Sequence, residues 1–448
     1  MNKKFLPLIS ALLILVFLFT ACAPAATPTQ APAAPAEGGA EAPAAEAPGE
    51  QVTITWWHIS TKDPGLADWQ KMADDYMAEH PNVKIEITVL ENEAFKTKLT
   101  TVMQSGEVPD VFQSWGGGAM NQQIEAGLLK DITADLDADG GAWRNSFAPG
   151  ALAVYSLDGK NYGVPWDMGM VGWWYNKALF EEAGISAPPA TWTEFLDAVK
   201  KLKEAGITPI SLGEGDKWPG MHIWSYLATR ICGEEGFMAA ANRSGSFTDP
   251  CFVEAGEKLQ ELIALEPFQS GYLGATHDDM QATFGNSKAA MELSGQWAPT
   301  VQAANSADQK GIGENLGLFN FPAVEGGKGG AADVIGGGNG FALGKDAEPE
   351  AVDFVKYLTS PENQAVIAAS GSGIPVVKGG EKGLTDANML LVQQTFSAAE
   401  YFQLYYDQYL PPAMGSVLND AVQTIFAGTA TPEEAAQVIE DAAKQELK

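Results

Sequence analysis

The segment "YGVPWDMGMVGWWYNKALF" (residues 162–180) gathers three tryptophans and two tyrosines around one acidic residue, Asp167, with glycines between them. It suits either the core of an ordinary domain or a surface built to hold something flat and hydroxylated. Working outward, the signals alternate. Upstream, "VTITWW" reads as a strand. "GLADWQKMADDYMAEHP" carries Leu66, Trp69, Met72, Ala73 and Tyr76 at helical spacing before a proline stop. "VKIEITVL" alternates as a strand, "AFKTKLTTVMQSG" is an amphipathic helix with a glycine end, and "DVFQSW" is a strand closed by "GGG". This strand–helix repetition implies an α/β fold with a parallel sheet covered on both faces. Downstream the chain is mostly helical, with a capping box, Thr191 with Glu194, opening one helix that closes on Gly206. "GFALG" near Phe341 reads as a further strand, and the chain closes with helices.

The N-terminus is a leader. "MNKK" is a positive head, "FLPLISALLILVFLF" an apolar run, and "LFTAC" has the form of a bacterial lipobox, so residues 1–21 are expected to be removed and Cys22 to carry lipid. The Ala/Pro-rich stretch 22–51 has no large apolar side chain to offset the entropy of ordering and should serve as a disordered tether. Residues 52–448 exceed one typical core, so two lobes are expected. The formal charge of −30 argues against nucleic acid or an anionic lipid surface as partner. Cys232 and Cys251 form an even pair in an exported chain, for which a disulfide is expected.

In their order, these elements resemble the extracellular solute-binding proteins of bacterial ABC sugar importers, the large family that includes maltose-binding protein. "GEVPDVFQSWGGG", "GKNYGVPWDMGMVGWWYNKALFEEAGI", "PPATWTEFLDAVKKLK", "KAAMELSGQWAPT" and "GGGNGFALGKDAEPEAVDFVKYLTSPENQ" carry the resemblance together across residues 52–448. It implies a two-lobed periplasmic-binding-protein fold (type II-like), with hinge crossovers and a ligand cleft that closes around its solute. The N-terminal lobe is expected over 52–164 and 333–359, the C-terminal lobe over 165–332 and 360–448. "VPWDM" is then a crossover that brings Asp167 to the ligand, and the glycine-rich "FPAVEGGKGGAAD" another that flexes. The implied partners are an oligosaccharide and the ABC permease. The protein is expected to be a monomer held to the membrane by lipid alone, and no cofactor or metal is expected.

A pyranose has an apolar face for aromatic rings to cover and a rim of hydroxyls for a few polar groups to satisfy. Twelve tryptophans exceed what a core of this size demands. Trp297, in the family's Gly-x-Trp segment, is expected to stack on a sugar. Trp115 ends a strand whose C-terminal end faces the crevice in a doubly wound sheet. Asp167 is a candidate acceptor for two hydroxyls, against the alternative of a hinge or helix-capping carboxylate. Trp218 and His222 sit on a loop opening a helix, and His58 follows the first strand. Lys96 begins a helix, Gly338 and Asn339 permit close backbone approach, and Asp407 precedes a proline break where the family places late cleft contacts. Alternation sets Trp56 and His58 against Trp57, which is expected in the core, as are Trp224 and Tyr226. Tyr405, Tyr406 and Tyr409 stay undivided between core and site. "FQSWGGG", "PWDMGMVGWWYNK" and "YYDQYLPPAMG" look most like the branch that binds xylobiose and related short oligosaccharides.

An enzyme is not expected. Glu91 and Glu93 are an acidic pair in a very acidic chain, which does not amount to the two placed carboxylates of a glycosidase. The four histidines lack metal-ligand spacing, and "GGGNG" lacks the Lys-Ser/Thr of a phosphate loop. Arg144, Arg230 and Arg243 are the only arginines, which favours a neutral ligand over a carboxylate.

Overall fold

The computed structural model describes residues 51–447. The leader, Cys22 and the tether lie outside them. Eleven strands are present among these residues. Seven precede the long helical region: β1 Val52–His58, β2 Val83–Val89, β3 Val111–Ser114, β4 Ser156–Leu157, β5 Lys160–Asn161, β6 Gly163–Met170 and β7 Gly172–Asn176. Four follow it: β8 Met291–Ser294, β9 Leu316–Phe319, β10 Val334–Leu343 and β11 Phe402–Leu404.

Strand β1 runs parallel to β2 and β3, as the alternating pattern requires. The helix Gly65–Glu79 buries Trp69, Met72, Ala73 and Tyr76 beside them. Strand β10 then enters antiparallel to β3 along one edge and to β6 along the other. Its first residues pair instead with β11. A second sheet has β7 between β8 and β9, all antiparallel. Strands β6 and β10 are therefore shared: one end of each sits in the first lobe, the other end in the second.

Two large cores result. Trp56, Trp69, Phe341 and Phe354 anchor the first, Trp173, Trp192, Trp224, Tyr226 and Phe321 the second. Trp173 and Trp174 do point apart, and both are fully buried, each in a different cluster. Truncating either to alanine would cost about 3–5 kcal/mol. The expected capping box of Thr191 and Glu194 opens the helix Trp192–Glu204. Cys232 and Cys251 are bonded, with Cα atoms 5.2 Å apart. The bond joins the helix Trp218–Ala241, at its break on Gly233, to the start of the helix Pro250–Ile263.

Four expectations are corrected. Strand β10 begins well before "GFALG", because "GGGNG" is itself strand. A Cβ at Gly337 would fall 2.3 Å from the Tyr405 ring, and one at Gly340 2.4 Å from Tyr155. The glycines thus let two tyrosines lie against the strand. Residues 360–377 belong with the first lobe, not the second: Ile367, Val376 and Val377 join its core. The stretch 321–333 does not serve as a loose crossover. The buried Arg230 side chain donates to the carbonyls of Phe321, Pro322 and Ala331, and a Cβ on Gly329 would lie 2.1 Å from Thr229 O. Finally, Trp56 is the fully buried member of its pair, while Trp57 is half-buried with Lys98 Nζ 4.4 Å from its ring centroid.

Candidate functional site

Between the lobes lies a cavity in which a water-sized sphere has about 210 Å³ of free travel. One water needs about 10–15 Å³ in that measure, so the space fits an organic molecule rather than an ion. The first lobe lines it with the loop after β1 (Ile59 to Asp63), the helix start at Glu91, Asn92 and Lys96, and the rings of Trp69, Trp115 and Trp166. The second lobe supplies Trp218, His222, His277, Asp278, Trp297, Tyr405, Asp407 and Gln408, and the shared strand β10 supplies Asn339.

The second-lobe wall is one aromatic surface. Trp297 meets Trp218 edge-on at 6.2 Å, and Trp218 meets His222 at 5.3 Å. His222 in turn stacks on Tyr405 at 5.3 Å. Burial lowers the pKa of His222 to about 3 and that of His277 to about 4, so both rings are neutral at pH 7. A neutral imidazole has one donor and one acceptor, which suits a hydroxyl. Among the described residues the indole nitrogens of Trp166 and Trp218 have no partner, nor has His222 Nδ1. On the facing lobe, Lys96 Nζ sits 5.6 Å from the Trp115 ring centroid and is held by Glu93 at 2.9 Å. Both protein hydrogen bonds to the Asp407 carboxylate, from Gln408 and Asn419, fall on Oδ2. Across the mouth, Lys62 of the first lobe pairs with Asp278 of the second at 3.1 Å.

Seven of the ten expected ligand residues line this cavity: Lys96, Trp115, Trp218, His222, Trp297, Asn339 and Asp407. Three do not. Asp167 is 1 % exposed and faces away. Its Oδ2 accepts from Gln296 at 2.6 Å and from Asn339 at 2.9 Å, and its Oδ1 from Ile374 N at 2.7 Å. Burial pushes its pKa up to about 6, against the pull of those three donors. Those bonds give it a structural place between β6, β10 and Ile374 rather than one on the cavity. His58 is buried against Trp56 and accepts from Ser60 N through Nδ1; burial lowers its pKa to about 4. Gly338 does allow close approach, but of β6: a Cβ there would sit 2.4 Å from Asp167 O.

Sequence reasoning missed His277, Asp278, Asp63, Asn92 and Gln408. His277 and Asp278 stand just inside a capping box, Thr276 with Asp279, and that helix start was a usable signal, the same one that drew attention to Trp218. Tyr405, undivided before, lines the cavity, whereas Tyr406 is core.

Residues 61–365 match the family model of the bacterial extracellular solute-binding proteins. The multiple sugar-binding protein of Streptococcus mutans is 28% identical over 334 residues, covering 69% of this chain and 72% of that protein. The diacetylchitobiose binding protein of Streptomyces coelicolor is 27% identical over 331 residues, 72% of this chain and 73% of its own. Among solved structures, one from work on xylan utilization by the thermophilic bacterium Caldanaerobius polysaccharolyticus superposes with a TM-score of 0.82 at 30% identity, covering 87% of this chain and 100% of that one. A chitin oligosaccharide binding protein superposes equally well, with a TM-score of 0.82 at 28% identity and coverages of 89% and 99%.

Proposed function

We propose that this chain, which belongs to the bacterial extracellular solute-binding proteins, captures a neutral oligosaccharide outside the cytoplasm and delivers it to the permease of an ABC importer. The observation that carries the reading is the cavity between the lobes. Indole rings stand on both walls, and the two neutral imidazoles of His222 and His277 lie beside them. Rings of this kind cover the C–H face of a pyranose, and polar lining residues such as Lys96, Asn339 and Asp407 meet its hydroxyls. The seven lining residues expected from sequence are its contacts in this proposal, together with Trp166, His277 and Tyr405. We favour a xylo-oligosaccharide such as xylobiose, because the similar structure from xylan work has the higher identity of the two described above. Lipid on Cys22 and the tether after it would hold the protein at the membrane.

Calorimetric titration with xylo-, cello-, chito- and malto-oligosaccharides tests this. The expected result is binding of one series with no release of reducing sugar. Absence of heat with every neutral sugar would refute the reading, and hydrolysis would turn it toward a glycoside-active enzyme. Binding of chito- rather than xylo-oligosaccharides would replace the favoured sugar and keep the function.

A further inference from the structure

After β3 the first lobe runs through Trp115, which lines the cavity, into three glycines and the helix Gly117–Glu125. In the second lobe, Asp407 and Gln408 line the same cavity from the short helix Tyr406–Tyr409. Tyr406 and Leu410 fix that helix in the second core. Beside the cavity the two helices meet backbone to backbone. A Cβ on Gly117 would lie 2.6 Å from Gln408 O and 2.7 Å from Leu404 Cδ2. A Cβ on Gly118 would lie 2.5 Å from Tyr409 O and 2.7 Å from Leu410 O. The obstacles at Gly118 are main-chain atoms, so no rotamer change can clear them. Local geometry does not ask for glycine there. Gly117 has φ +62°, in the left-handed region that favours glycine, whereas Gly118 has no positive φ. It is the second residue of a helix, where alanine is the better helix former. Gly118 runs against that preference, and the three atoms nearest its missing Cβ all belong to the second lobe.

We infer that Gly118, with Gly117 beside it, is a positioning residue for ligand capture: its bare backbone lets the Gln408–Leu410 turn of the second lobe come down on the first, and this seam sets how far the cleft closes. Neither glycine lines the cavity, but their chain neighbour Trp115 does, and so does Gln408 across the seam. Ordinary van der Waals contact lies at 3.4–4 Å, so a methyl at position 118 holds the turn off the helix. Asp407 and Gln408 then stand back from Trp115, and a ligand cannot touch both walls at once. At the mouth the lobes also touch through Lys62 and Asp278, 3.1 Å apart. The identity of the ligand rests on the sugar reading above; the seam does not.

The test compares Gly118→Ala with Gly150→Ala in the full chain. Gly150 is the second residue of another first-lobe helix, Pro149–Ala153, and nothing lies within 4 Å of a Cβ there. Closure is read by adding Lys62→Cys and Asp278→Cys to each variant and joining them across the mouth with a short bismaleimide. Cross-linking of the Gly118→Ala chain should be at least about fivefold slower than that of the Gly150→Ala chain, with or without sugar. With Lys62 and Asp278 intact, calorimetry with xylobiose and diacetylchitobiose should show about tenfold weaker binding for Gly118→Ala and wild-type affinity for Gly150→Ala. The melting temperature of the ligand-free protein should not fall in either variant. Equal cross-linking rates overturn the inference, and any affinity lost would then be a local effect on Asp407 and Gln408. A melting temperature lowered by Gly118→Ala alone also overturns it, since the contact would then be permanent packing. If neither disaccharide binds the wild type, the sugar reading is what fails, and cross-linking without sugar still decides the seam.

Discussion

The hinge is built from an acid with amides and the second-lobe wall from imidazoles with indoles, and the two treat hydrogen bonds in opposite ways. At the hinge, Asp167 pairs with Asn339 across β6 and β10 and takes donors from Gln296 and Ile374, so both of its carboxylate oxygens are satisfied inside the protein. Asn339 accepts from Gln113 at 2.8 Å as well. Along the wall, Trp218 Nε1 and His222 Nδ1 have no protein partner. Buried polar groups are costly unless paired, so the wall carries a hydrogen-bonding demand that the Asp167 carboxylate does not. The Asp167 carboxylate, by contrast, is saturated within the protein and ties β6 to β10 and to Ile374. Gln296 directly precedes Trp297, so the two regions are joined through one peptide bond.

This contrast predicts mutations with opposite readouts. The largest effect is expected for Asp167→Ala, which strands three buried donors and should lower stability by about 3 kcal/mol or more in denaturant unfolding. A variant as stable as wild type, with lost affinity instead, would return Asp167 to the ligand site. Next, Trp297→Ala should weaken sugar binding at least about tenfold, since a stacked ring contributes about 1 kcal/mol or more beyond the area it buries, with little change in melting temperature. Unchanged affinity would move Trp297 into the core.

Stability against pH sharpens the comparison further. His58, His222 and His277 have folded pKa values lowered to about 4, 3 and 4. The unfolded chain takes up those protons near pH 6.5 and the folded protein does not, so stability falls as pH drops from about 6.5 toward 4. Glu292, raised to about 8, works the other way: the folded protein keeps a proton that the unfolded chain has released, and stability falls as pH rises from about 4.5 to 8. Asp167, raised to about 6, opposes one of the three histidines between about pH 4 and 6. Glu214, raised well above its ordinary value by burial, acts in the same sense as Glu292, so the melting temperature should fall as pH rises above about 6.5. A curve that climbs steadily to pH 9 would refute the protonated Glu292. The smallest effect is expected for Lys62→Ala at the cleft mouth. Lys62 and Asp278 are 38% and 46% exposed, so the bridge contributes at most about 1 kcal/mol to closure. Affinity should drop by less than about fivefold and lose its dependence on salt, measured by titration at low and high ionic strength.

Much of this was legible in the chain. The order of strands and helices follows from hydrophobic periodicity and caps, and the paired cysteines and the Thr191 capping box are where the sequence points. Seven cavity residues were likewise marked by an aromatic or polar side chain at the end of a strand or the start of a helix. For Asp167 the sequence offered both a ligand contact and a hinge carboxylate and did not choose between them. Its partners Gln296, Asn339 and Ile374 lie 129, 172 and 207 positions away, and no local pattern reports such distances. His277 was passed over because it follows no strand and belongs to no metal spacing; only packing brings it under Trp297.

What the sequence alone determined is which residues alternate: Trp166 with Asp167, Trp56 with Trp57, Trp173 with Trp174. Local backbone geometry sets that, since neighbouring side chains on a strand must point apart. Which of each pair meets solvent, core or cavity was decided only by the tertiary structure. Trp166 reaches the cavity because Asp167 on the opposite face finds Gln296 and Ile374, brought there by chain from both lobes. Burial energies depend on what lies across the gap, and what lies across it is set by long-range packing.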